Sequence, residues 1–411
     1  MAVLSLMWTL VKLKLRGWKL RRRTGPLSAR DRLRLDACWT VATGLSIVHH
    51  LRATEFQARA LLLALNAGDA DRVMKSTALL GATLGMADGV ARTIGGGLRV
   101  RARELASTFP SDENTAWLEL TQGVASMGDW DFAGCERLCA QAEATLRTRC
   151  QGAAWEVVTA QAFALWSATF RGNFATASLR LPALLASARS RGDRHAETAL
   201  ILSPVHLMGL CDDEPERVRL QCETSMAEWP SRLARFQHMC GAYVLAQVAL
   251  YESRVDTAWE HVTYAWQMLR RGHLSRVQFQ RIDLLGLRAR TALGRAAAAE
   301  EALRTEWLGR AQADVRRLRK ENAPAAFALA DMVEGGAEHV VGNAAASISC
   351  LERAAQGFDA LGMPLHAEVA RLARGIVAKD ELGRTRASKN LGDIGVVNPT
   401  RMMRLWIPGI A

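Results

Sequence analysis

The chain has 411 residues, with 53 Lys and Arg against 41 Asp and Glu and a formal charge of +12. The charge sits at the ends: residues 1–30 hold eight basic and no acidic side chains, residues 371–411 hold eight against three, and residues 31–370 are close to neutral with 37 against 38. That distribution argues against a basic nucleic-acid groove along the body, and eight irregularly spaced cysteines with no secretory signal argue against a disulfide framework.

Ten prolines, abundant Ala and Leu, and almost no strand-type alternation predict a mostly helical chain, in which twelve tryptophans would fill gaps between packed helices. The start, MAVLSLMWTLVKLK, puts its apolar run before its positive charges, the reverse of a signal peptide, and that run is well short of the ~20 residues that cross a bilayer. A location in a bacterial-type cytoplasm follows, with peripheral attachment to a membrane as the variant. Lys12, Lys14, Arg16, Lys19, Arg21, Arg22 and Arg23 stand among Leu and Trp. As an end cap or connector they would form a solvated edge. As a helix they could lie on an anionic membrane or an acidic partner, with nucleic acid the least favoured reading.

Next in the chain, His49 and His50 are adjacent and would point about 100° apart on a helix, which does not suit one shared ion. Thr54 with Gln57 reads as a capping box ahead of a helix that stops at Gly68. The glycine-rich stretches GATLGMADG from Gly81 and TIGGGLRV from Thr93 lack the Gly-Lys-Ser/Thr ending of a phosphate loop. Kinase signatures are missing as well: DFAG at Asp131 has no glycine directly after its Phe.

A hinge pattern recurs at Gly68, Gly128, Gly172, Asp213, Ser253, Gly294 and Gly342, with successive spacings of 60, 44, 41, 40, 41 and 48 residues. A period near 41 fits a helix, a tight turn and a second helix per unit. Glycine in the left-handed conformation would close one helix, and the following Asp or Asn would cap the next. Trp130 and Phe174 are expected at matching places, plugging the angle between paired helices. After Gly128, Cys135, Leu138, Cys139, Ala142, Leu146 and Cys150 form an apolar stripe, and Val255, Ala258, Trp259, Val262, Ala265, Trp266 and Leu269 repeat the rhythm. Cys135 and Cys139 lie one turn apart, but Cys150 is about 16 Å further along the helix, too far to complete a zinc site. Buried apolar thiols are the expected reading. The segment VRRLRKEN from Val315 reads as an exposed face flanked by Asp314 and Glu321.

Two stretches, RLDACWTVATGLSIVHHLRATEFQARALLLALNAGDADRV from Arg34 and GVVNPTRMMRLWIPG from Gly395, resemble the C-terminal helical region of large serine/threonine protein kinases of myxobacterial type. CQGAAWE from Cys150 and the Gly-Asn-Phe hinge extend the likeness over most of the chain. In that family a kinase domain and an AAA-type ATPase domain precede a TPR-like arm. The resemblance implies a signalling context, with the arm binding partners or sensing beside a kinase or ATPase module. It confers no kinase activity, because both catalytic modules are absent from this sequence. The chain would then be a separated arm, a relative working in trans, or a truncated reading frame.

The expectation is an all-α superhelical solenoid of paired antiparallel helices, TPR-like, with a basic connector or end cap at 1–30, a repeat array at 31–378 and a tail at 379–411. No catalytic residue, cofactor or metal is expected. The partner would be a protein segment or peptide.

Overall fold

The computed structural model describes residues 2–20, 27–46, 49–202, 204–227, 229, 235–272 and 274–410. Helix makes up 84% of the described residues, with no strand among them. In chain order the helices are α1 (Ala2–Arg16), α2 (Ala29–Leu45), α3 (His50–Ala67), α4 (Ala70–Gly85), α5 (Gly89–Thr108), α6 (Asp112–Gly128), α7 (Phe132–Arg149), α8 (Ala154–Phe170), α9 (Phe174–Ser190), α10 (Arg194–Ile201) and α11 (His206–Cys211). They continue with α12 (Pro215–Ala227), α13 (Arg235–Tyr251), α14 (Val255–Arg271), α15 (Gln278–Ala298), α16 (Glu301–Lys320), α17 (Pro324–Val340), α18 (Ala344–Ala360), α19 (Pro364–Val377), α20 (Glu381–Asp393) and α21 (Pro399–Trp406). Helices adjacent in sequence pack in pairs, as α6 does on α7 and α17 on α18. The residues divide into two compact units, 1–164 with 270–278, and 165–269 with 279–411. Neither residue 30 nor residue 378 marks an edge of these units.

Nine of the joints between described helices share one hydrogen-bond pattern. At Gly172 the amide donates to Thr169 O at 3.1 Å, and the next amide, Asn173, donates to Ala168 O at 2.8 Å. The same pair of bonds recurs at Trp130, Gly192, Asp213, Ser253, Gly342, Gly362, Lys379 and Gly395, each with positive φ. This is the Schellman closure, in which a left-handed residue satisfies the last carbonyls of a helix. At four of them the following side chain caps the next helix: Asp131 Oδ1 accepts from Gly134 N at 2.9 Å, Asp193 Oδ1 from Ala196 N at 3.0 Å, Asn343 Oδ1 from Ala346 N at 3.3 Å, and Asp380 Oδ1 from Gly383 N at 2.9 Å, whereas Asn173 after Gly172 makes no such bond. Trp130, Gly172, Asp213 and Ser253 stand 42, 41 and 40 residues apart, so a period near 41 is physical there, spanning two helices in the first and last intervals and α9, α10 and α11 in the middle one.

Two of the seven expected hinges fall elsewhere. Gly294 lies inside α15, where a Cβ would come 3.0 Å from Val255 Cγ1 and 3.1 Å from Pro408 Cβ; its small size serves packing. Gly128 is the last residue of α6, and the left-handed position belongs to Trp130 with φ 63°. The expected match between Trp130 and Phe174 shifts accordingly. Phe174 stands two residues after its hinge Gly172, and the residue in that place after Trp130 is Phe132. All three rings are buried, and Trp130 meets Phe132 edge-on at 5.9 Å. The capping box is also displaced. Helix α3 begins at His50, where His49 accepts from Arg52 N, and Thr54 lies within the helix, its hydroxyl donating back to His50 O at 2.9 Å. The expected stop at Gly68 stands, with φ 71°.

In the first unit the core gathers Leu13, Leu61, Leu65, Met74, Leu80, Leu98 and Trp117. Trp117 meets Trp39 edge-on at 5.2 Å and stacks on Trp155 at 6.2 Å. The glycine-rich stretches lie on α4 and α5 and let these helices touch backbone to backbone. A Cβ on Gly95 would collide with Gly85 N, and one on Gly81 would sit 3.1 Å from Arg99 N.

In the second unit the C-terminal residues are part of the core. Met402, Met403, Leu405 and Trp406 of α21 are buried, and α21 packs on α13 and α19. Val397 N donates to Cys211 O at 2.8 Å. Asp213 Oδ1 accepts from Arg401 at 2.7 Å and from Tyr251 Oη at 2.8 Å, while Asn398 Nδ2 reaches Asp213 Oδ2 at 3.1 Å. Burial opposes ionisation of Asp213, yet these three donors hold its pKa below the ordinary value.

Candidate interaction surfaces

Helix α14 sets its two tryptophans by spacing. Trp259, Thr263 and Trp266 follow at i, i+4 and i+7 and share one face. Opposite them α15 supplies Arg288, and α16 supplies Trp307, Arg310, Asp314 and Arg317. Together they form a cleft of about 320 Å³ lined by Trp259, Thr263, Trp266, Arg288, Arg310, Ala313, Asp314 and Arg317.

Guanidinium groups lie over the indoles. Arg288 sits 4.2 Å from the Trp266 ring centre, Arg310 4.4 Å from that of Trp307, and Arg295 4.0 Å from Trp307 on its other approach. Trp259 meets Trp307 edge-on at 4.9 Å. Asp314, which the sequence pattern assigned to an exposed face, is buried. It holds Arg288 through two bonds, one from Nε at 2.6 Å, and Arg317 through a third at 2.9 Å. Glu321 likewise turns inward to Arg281, bonded to Nε at 2.6 Å.

Arg310 and Arg317 remain about half exposed even with their carboxylate partners, so donors are left for an incoming acid. Thr263 Oγ1 is buried with no hydrogen-bond partner among the described residues. Periodicity placed Trp259 and Trp266 on a buried stripe; the structure leaves both at intermediate burial, walling the cleft. The sequence signal that could have found it is the coincidence of three Trp with Arg at helical spacing on α14 to α16.

The basic residues near the start divide by role. Lys12 and Lys14 lie on α1 and are exposed, and Lys19 follows it, also exposed. Arg16 is structural: its guanidinium donates to Leu65 O at 2.6 Å and Asn66 Oδ1 at 3.1 Å, closing the end of α3. Arg21, Arg22 and Arg23 lie outside the described residues.

The second unit also holds a polar group around the buried Arg290 and His366. Tyr243 Oη donates to Asp283 Oδ1 at 2.8 Å, and Arg290 stacks 3.9 Å from the Trp406 ring centre beside His366. Burial pushes Asp283 up to about 6 and His366, with help from the positive Arg290, down to about 3. In the first unit, a hydrogen bond with Cys135 and burial push the fully buried Cys139 thiol well above its ordinary range. No helix of the described residues is long and apolar enough to cross a membrane.

No family model matches the chain, and no curated protein matches it.

Proposed function

We propose that the chain is a noncatalytic helical-repeat module that binds a protein segment in a signalling assembly, with the α14–α16 cleft as its contact. Helix pairs joined by one recurring hinge support a repeat architecture of TPR-like kind, and the superhelical arrangement belongs to the same proposal. The observation that carries the reading is the cleft itself. Its volume is at the small end for ligand pockets and suits one or two side chains. Indole walls favour an apolar or aromatic side chain, and half-exposed Arg310 and Arg317 favour a carboxylate beside it. The fitting ligand is a peptide in which a large apolar residue neighbours Asp or Glu. The resemblance to kinase-associated arms makes a kinase or ATPase module the first partner to test.

The test is calorimetric titration of the purified chain with such peptides, including segments of kinase and ATPase modules of the resembled family. Binding is expected, and Trp266→Ala should weaken it roughly tenfold or more, as loss of a central aromatic contact does. Equal binding by Trp266→Ala, or robust phosphoryl transfer from ATP by the chain alone, would remove the proposal.

A further inference from the structure

Helix α1 has two apolar faces, and only one is covered. Along its inner face Leu13 is fully buried and Thr9 nearly so, Ser5 Oγ donates to Glu55 Oε1 at 2.6 Å, and Arg16 anchors the end on Leu65. Along the outer face Leu4 is 71% exposed, Met7 and Trp8 58%, Val11 44% and Leu15 80%. At about 100° per residue these five side chains fall within one arc of about 100°. Lys14 lies just past one edge of that arc and Lys12 past the other, with Lys12 Nζ 5.3 Å from the Trp8 ring centre.

We infer that this outer face of α1 docks on an anionic lipid bilayer, lying in the plane of the headgroups. Five exposed apolar residues in one stripe exceed the scattered exposure of an ordinary surface. Lysines flanking such a stripe extend flexible stems past it to negatively charged headgroups, the arrangement of an interfacial helix. Charge complementarity selects the occupant: α1 carries no acidic residue, and residues 1–30 hold eight cations and no anion. At 15 residues α1 is too short to span the bilayer, so the contact is peripheral. The inference does not depend on the cleft of the other unit.

The test is co-sedimentation of the full chain with phosphatidylcholine vesicles, with and without phosphatidylglycerol, at low and high salt. Binding should require the anionic lipid and fall roughly tenfold or more at high salt. Trp8→Ser combined with Leu15→Ser should lose binding to the same degree while circular dichroism stays unchanged, since both side chains are largely exposed. Lys12→Gln with Lys14→Gln, independently, should weaken binding to anionic vesicles. Absence of binding by the folded chain, equal binding to both vesicle types, or unchanged binding by either variant would overturn the inference. So would lipid-free self-association, protein capture or nucleic-acid binding that the Trp8→Ser/Leu15→Ser variant abolishes while vesicle binding persists.

Discussion

Helices α7 and α14 are nearly equal in length and carry the same apolar rhythm, yet α7 buries Cys135, Cys139, Ala142 and Leu146 of its stripe, with Leu138 at intermediate burial, and α14 leaves two indoles at intermediate burial along a cleft. What faces each stripe accounts for the difference. Opposite Cys139 of α7 stands Gly123 of α6, so close that a Cβ there would lie 2.6 Å from Sγ. With no side chain on one partner the two helices pack backbone to side chain at this point. Opposite Trp266 of α14 stands Arg288, a long side chain that lies on the indole and is fixed by buried Asp314. Arginine fills the space a helix would otherwise approach through, and it leaves an edge of the ring open. Equal periodicity thus yields a closed seam in one place and a cleft in the other.

Breaking the ion pair behind the cleft should have the largest effect. Arg288→Met keeps the stem that covers Trp266 but leaves Asp314, only 3% exposed, with Arg317 as its remaining charged partner. Orphaning a buried carboxylate typically costs about 3 kcal/mol or more. Arg317 offsets part of that, so a loss of roughly 2–3 kcal/mol is expected in urea denaturation. A loss below measurement error would mean the pair contributes no structure and the cleft walls are held by packing alone.

Next in size is a pH dependence from ionisable groups enclosed in the second unit. Asp283 is raised by burial from 3.8 to about 6. Its folded state prefers the proton, so the stabilisation it contributes is complete below 3.8 and disappears as pH rises through about 6. The span of about two pKa units corresponds to roughly 2–3 kcal/mol. His366 runs the other way: lowered from 6.5 to about 3, it contributes stability that is complete above 6.5 and lost as pH falls toward 3. Asp283→Asn should therefore steepen the loss of stability on acidification from neutral pH, because the opposing contribution of Asp283 is gone while that of His366 remains. Hydrogen exchange at the α6–α7 seam, corrected for intrinsic rates, should be indifferent to this substitution. An unchanged pH profile in Asp283→Asn would show that Tyr243 and Arg290 leave Asp283 ionised.

How far the sequence was legible follows from the same contrast. Local signals survived in part: the period near 41, the helix stop at Gly68, the caps by Asp69 and Asn343, and the buried Cys135, Cys139, Ala142 and Leu146 of α7 are each set within a few residues by backbone conformation and apolar spacing, whereas Asn173 makes no cap bond. Gly294 looked like a hinge because glycine signals both a left-handed turn and a tight crossing; only the approach of Val255 and Pro408 separates the two. Trp130 took the left-handed position from Gly128 because Asp131, placed one residue after it, is the side chain that caps α7. The cleft escaped notice because Trp259 and Trp266 fit a buried stripe perfectly well until the residues opposite are known. Those arginines lie 22 or more positions further along the chain.

Two glycines give the finest test of what faces a helix. Gly123→Val should destabilise by about 1–3 kcal/mol, since the new side chain meets Cys139 Sγ first and then Cys139 N at 3.3 Å and Cys135 O at 3.4 Å. Backbone atoms cannot move aside as a side chain can. Gly309 of α16 is the counterpart on the open side, with nothing within 4 Å of a Cβ placed there. Gly309→Ala should raise stability by roughly 0.5–1 kcal/mol through helix propensity alone. Thermal melts of the two variants beside the parent should move in opposite directions. A fall for Gly309→Ala would place another surface against that side of α16, and the difference between the two regions would then lie in occupancy rather than in arginine.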